Sequence, residues 1–117
     1  MERHQTIRIY NAKSGMPSVE NARRNLITTI REARLAGVRI LKIIHGYGST
    51  GVGGALRNAL RTSLVRRRKE GLVATIVYGE EWTMFNEHAR ALCDRCPELR
   101  NDPDYNQENP GITIIEL

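Results

Sequence analysis

The chain has 117 residues, 40% hydrophobic and 26% charged, with a net charge of +5, a balance that suits one soluble globular domain with its own core. Two cysteines, Cys93 and Cys96, are too few for the disulfide framework of a small secreted fold. There is no run of about 18 apolar residues for a membrane span, and MERHQTIRIY lacks the apolar stretch of a secretory signal, so the cytoplasm is the expected location.

Thr6 to Tyr10 alternates with period two, as a half-buried strand does. Turn chemistry follows in NAKSGMP, and Ser18 is placed to cap a helix whose first turn carries Glu20. Ala22, Leu26, Ile30 and Ala33 form its apolar face, with Arg23, Arg24, Arg31 and Arg34 opposite and Gly37 as the stop. Val38 to Ile44 reads as a second strand, apolar enough for a sheet interior. After a glycine-rich stretch, Leu56, Ala59, Leu60, Ser63 and Leu64 mark a second helix ending in Arg66-Arg67-Arg68-Lys69 and Gly71. Leu72 to Tyr78 is a third strand and Gly111 to Leu117 a fourth. Between them, periodicity predicts an amphipathic helix from about Trp82 to Arg95, stopped by Pro97, and an exposed polar loop in PELRNDPDYNQENP. The expected class is α/β or α+β, with a small mixed sheet and helices packed on it.

Charge is uneven along the chain. Residues 1–78 hold fifteen of the eighteen Lys and Arg but only four of the thirteen acids, and fifteen of the eighteen cations are arginine. The guanidinium fork suits bidentate phosphate contacts, so nucleic acid is the expected partner. Arginine richness that serves only solubility is the competing explanation.

The segment His45-Gly46-Tyr47-Gly48-Ser49-Thr50-Gly51-Val52-Gly53-Gly54 joins a strand's carboxyl end to a helix's amino end, the junction where open α/β sheets bind ligands. Glycine lets backbone N–H groups approach an oxyanion, and the helix start adds unpaired N–H groups with a positive dipole end. Gly46, Gly48, Ser49, Thr50, Gly51, Gly53 and Gly54 are therefore candidates for a phosphate cradle. A Walker A loop is excluded, because Val52-Gly53 stands where Lys-Ser/Thr is required. Gly46-x-Gly48-x-x-Gly51 matches the dinucleotide fingerprint by letter, but no strand-end acid follows about twenty residues on. A turn without a ligand also fits the segment. On the second helix, Arg57, Arg61 and Arg68 fall within a sector of about 40°, a ridge leading away from the glycines that is expected to extend the phosphate contact.

At this point the order of features resembles the Smr (small MutS-related) domain over nearly the whole chain. The resemblance rests on Ser18-Val19-Glu20-Asn21-Ala22, on Ile43-Ile44-His45-Gly46-Tyr47-Gly48 leading into Gly54-Ala55-Leu56-Arg57, and on the closing Gly111-Ile112-Thr113-Ile114-Ile115-Glu116-Leu117. It implies a two-layer α/β sandwich of about four strands with two main helices, similar to the C-terminal domain of bacterial initiation factor three. Read this way, 1–117 is one Smr-like domain, and its acidic helical insertion at about 79–110 is longer than the loop usual in the family. DNA or RNA binding is implied too, with nicking or endonuclease activity in some members. Those members usually open with Leu-Asp-x-His-Gly; here the strand is Ile7-Arg8-Ile9-Tyr10-Asn11, so the usual cleavage pair is not carried over.

Any remaining cleavage chemistry would centre on His45 as acid, base or phosphate donor, with Arg57 or Arg61 neutralising charge and Mg²⁺ or Mn²⁺ as the metal. If the second and third strands run parallel, Glu80 and Glu81 reach the same edge as His45. Otherwise His45 simply orders its turn. No cofactor is expected outside a nuclease, since His88, Cys93 and Cys96 leave a zinc site one ligand short. Trp82 and Phe85 have the spacing of core residues, with base stacking as the other use. The leading expectation is nucleic-acid binding. An endonuclease with an altered catalytic set and a small nucleotide-binding or protein-interaction module are the alternatives.

Overall fold

Two parallel strands bracketing an amphipathic helix open the chain, and the helix forms where the cap and stripe demand it. Residues 6–47 and 52–117 are described in a computed structural model. Strand β1 spans Ile7–Asn11, helix α1 Val19–Leu35 and strand β2 Ile40–Ile44. The Ser18 hydroxyl accepts the Asn21 N–H at 3.1 Å, and Glu20 pairs with Arg23 in the first turn. Ala22, Leu26, Ile30 and Ala33 are all buried, as the stripe requires.

Helix α2 spans Val52–Lys69, strand β3 Thr75–Tyr78 and strand β4 Ile112–Glu116. The sheet order is β1-β2-β4-β3; β1 pairs parallel with β2, and β4 pairs antiparallel with both β2 and β3. This is the mixed four-stranded α+β sheet expected. Its central pair, β2 and β4, is nearly continuously buried, consistent with mostly apolar runs that Lys42 and Thr113 interrupt. Because β2 and β3 each run against β4, both deliver their carboxyl ends to the edge where β4 begins.

Alternation assigns the two faces. Leu41, Ile43 and Ile115 meet Leu26, Ile30, Leu60 and Leu64 of α1 and α2. Ile40, Val77, Ile112 and Ile114 turn to the other face, where residues 79–110 cover them.

That segment differs from the expectation in two ways. Its helix, α3, is only Glu87–Arg95, because the Asn86 side chain caps it by accepting the Ala89 N–H at 3.0 Å. A 3-10 turn at Gly79–Glu81 precedes it instead. The polar stretch after Pro97 is likewise not a loose loop: it begins with a 3-10 helix, Pro97–Asn101, that buries Leu99. Buried Lys42 bonds to Asp102 and Asp104, Trp82 Nε1 donates to Asp102 Oδ2, and Tyr105 packs tilted on the Trp82 ring at 4.8 Å. The acids of this stretch thus anchor the segment to the sheet. Burial alone would push the Lys42 ammonium down, but the two carboxylates outweigh it and hold its pKa above the usual lysine value.

Trp82 is fully buried, whereas Phe85 is 85% exposed and outside the core. Cys93 and Cys96 are buried free thiols raised by that burial, and His88 stands exposed. Among the described residues no three His, Cys, Asp or Glu gather as a metal set, and no helix is long and apolar enough to cross a membrane.

Candidate functional site

At the edge where β2 ends and β4 begins, the two backbones cross: both His45 N–H and Gly46 N–H donate to the Gly111 carbonyl at 3.0 Å. Gly46 has φ +71°, a left-handed conformation that a side chain would strain. This fixes the direction in which the glycine segment leaves the sheet. Gly79 answers a different demand. A Cβ there would lie 1.8 Å from the Asn109 carbonyl oxygen and 2.8 Å from that of Ile112, so only glycine lets the chain cross there after β3.

His45 is 1% exposed. Its Nδ1 lies 2.7 Å from the Gly46 carbonyl oxygen, which can only accept, so Nδ1 carries the proton and donates. Nε2 is left to accept from the Thr113 hydroxyl at 2.9 Å. The same hydroxyl oxygen accepts Arg61 Nε at 3.2 Å. Burial pushes the His45 pKa down to about 4; the Gly46 contact opposes this, while Arg61 and Arg57 add to it. At neutral pH the ring is uncharged, enclosed and committed to ordering the turn.

Arg61 is the hub of the site. Its terminal nitrogens hold Glu80 in a bidentate pair at 3.0 and 2.7 Å, and Nη2 also donates to the Pro110 and Ile112 carbonyls. The guanidinium carbon sits 4.3 Å from the centre of the Tyr78 ring. Glu80 is subject to burial that raises its pKa, but Arg61 outweighs this and holds it below the usual carboxylate value. Of the two acids expected on this edge, Glu80 therefore joins the cluster, while Glu81 receives the Asn86 amide at 3.4 Å.

Arg57 differs from Arg61. It lies one turn nearer the start of α2, close enough to His45 and Glu80 to influence both, yet among the described residues its buried Nε has no hydrogen-bond partner. A buried guanidinium N–H without an acceptor is costly. Arg68, the third member of the ridge, is exposed near the far end of α2, and Arg67 beside it is buried and paired with Glu70.

Gly54 lies within α2, where an added Cβ would stand 3.7 Å from the Tyr47 carbonyl oxygen, an ordinary contact, and Gly53 is in the helix before it. Gly48, Ser49, Thr50 and Gly51 lie outside the described residues. Thr113 escaped the sequence reading as a site residue, although the closing Gly-x-Thr was its signal. Lys13 and Asn109, which border the same edge, carried none.

The model of the Smr domain family matches residues 14–80. No curated protein matches the sequence. Among solved structures, the Smr domain of Thermus thermophilus MutS2 is similar, with a TM-score of 0.55 at 21% identity, over 97% of this chain and 98% of that one.

Proposed function

The chain belongs to the Smr domain family, and we propose that, within a nucleic-acid-related function, it binds DNA or RNA through backbone phosphates at the amino end of α2. The observation that carries this reading is Arg57, a cation a few residues after the glycine segment whose buried Nε–H lacks an acceptor among the described residues. By the sequence argument Gly48, Ser49, Thr50, Gly51, Gly53 and Gly54 contribute amides, whereas the Gly46 N–H expected among them is taken by the Gly111 carbonyl, and Arg68 extends the contact along the helix. Arg61, expected from the sequence to bind phosphate as well, has its guanidinium engaged inside the protein and acts from behind. Held by Glu80 and Thr113, it fixes the His45 turn from which the glycine segment departs.

The endonuclease alternative would need His45 to leave its enclosed, doubly bonded position before it could touch a phosphate. The small-ligand alternative would need an anion site that functions without a polymer.

One panel separates these readings. Binding of labelled single- and double-stranded oligonucleotides is followed by anisotropy from about 50 to about 200 mM salt, for wild type and Arg57→Ala. The expected result is a linear fall of log affinity with log salt, made shallower by about 0.7 to 0.9 in the variant. Absence of binding at low salt, or an unchanged slope in Arg57→Ala, overturns the proposal. Parallel incubations with Mg²⁺ or Mn²⁺, using His45→Ala as control, register cleavage. Saturable mononucleotide binding at high salt would favour the small-ligand reading.

A further inference from the structure

Beside the crossing of β2 and β4 lies an open depression of about 430 Å³, bordered by Lys13, Ile44, Gly46, Tyr47, Gly111 and Ile112, with Asn109 at its rim. That volume falls in the range of roughly 300–1,000 Å³ typical of small-ligand sites. It occupies the carboxyl edge of the parallel pair β1 and β2, where sheets of this type receive ligands.

Its lining has three kinds of chemistry. Ile44 and Ile112 supply apolar surface, and the Tyr47 ring, 52% exposed, stands against Gly111, where an added Cβ would come within 3.4 Å of Tyr47 Cδ1. Asn109 is oriented by accepting the Gly111 N–H at 2.8 Å and donating to Asp104 at 3.0 Å, which leaves one amide N–H and one lone pair to address a planar polar edge. Lys13 is exposed, its aliphatic stem beside Gly46, and among the described residues its ammonium has no ion-pair partner.

An aromatic face, an apolar floor, an oriented amide and an unpaired cation together match a base joined to a phosphate. In a duplex the base faces are stacked and cannot enter a concave slot; in a single strand they can. Resting on the nucleic-acid reading above, we infer that the depression takes one unstacked base of a single-stranded nucleic acid, with Tyr47 stacking on it and Lys13 meeting the adjoining phosphate. The protein then prefers single strands through a residue that contributes no charge.

The test compares an intact single-stranded oligonucleotide with one of the same length and phosphate count whose sites are abasic, and with a duplex. Alanine replacement of an aromatic that stacks on a base lowers affinity about 5- to 150-fold. Wild type should therefore favour the intact strand over the abasic one by at least about 5-fold. Tyr47→Ala should abolish that preference without altering the salt slope or duplex affinity, and Tyr47→Phe should retain it. Equal wild-type affinity for intact and abasic strands overturns the inference. So does a preference that survives in Tyr47→Ala, or a Tyr47→Ala loss that is as large on duplex. In each of these cases salt-dependent binding that weakens in Arg57→Ala leaves the nucleic-acid reading standing. If wild type binds none of the three at low salt, that reading fails and the base slot fails with it.

Discussion

Acidification should destabilise this protein in a pH range set by one enclosed imidazole. Below its ordinary pKa of 6.5, His45 in the unfolded chain takes up a proton that the folded site refuses until about pH 4. Stability is thus fully present above about 6.5 and is lost progressively as pH falls from there toward 4, because the unfolded state binds more protons. The interval amounts to about 3 kcal/mol at about 1.4 kcal/mol per tenfold change in proton affinity. Screening does not reduce it much, since the ring is 1% exposed. A geometric cost runs parallel: a proton on Nε2 would face a Thr113 oxygen that already accepts from Arg61. Urea unfolding at several pH values between about 7.5 and 4, for wild type and His45→Asn, measures this. Depressed carboxylates such as Glu80 and Asp104 act on both proteins, so the difference isolates the imidazole. Parallel curves, or a His45 ring titrating near 6.5 by NMR, would refute the reasoning.

Three further outcomes follow from the same structure. Thr113→Val keeps the shape but leaves His45 Nε2 and Arg61 Nε without their shared hydroxyl; a loss of about 1–3 kcal/mol is expected in denaturant unfolding. Lys42→Met leaves Asp102 and Asp104 uncompensated beneath residues 79–110; about 3–5 kcal/mol should be lost. Adding Asp102→Asn and Asp104→Asn should recover much of that loss, and a single variant as stable as wild type would show that the pairing matters little. Gly79→Ala drives a methyl into the Asn109 carbonyl, and its thermal melt should show a loss of at least about 3 kcal/mol, the upper range for overpacking.

Secondary structure was legible wherever one face of an element is apolar. The α1 stripe, the β2 run and the closing strand each state their burial in the order of their residues. The Trp82 to Arg95 spacing misleads because two different objects share one period. Trp82 is a core residue at the end of a 3-10 turn, while Phe85 sits in the connection before the Asn86 cap. A helix reading cannot see that cap as a break. The polar stretch after Pro97 is opaque for a related reason: its acids are bound by Lys42, sixty residues away, and a pairing at that distance leaves no local pattern. At the site, the turn at His45 and Gly46 announced itself by composition. Arg57 and Arg61, one turn apart and alike in sequence, acquire opposite conditions from what β3 and β4 place beside them.

The position of β4 between β2 and β3 has a consequence for synthesis. The first hundred or so residues can wind α1 against the β1-β2 pair, but β3 has no neighbour to join until Ile112–Glu116 has been made. The keystone arrives late and must insert between two edges that wait exposed. A ribosome-bound intermediate therefore presents two unmated ladders, both primed to recruit a wrong strand from another chain.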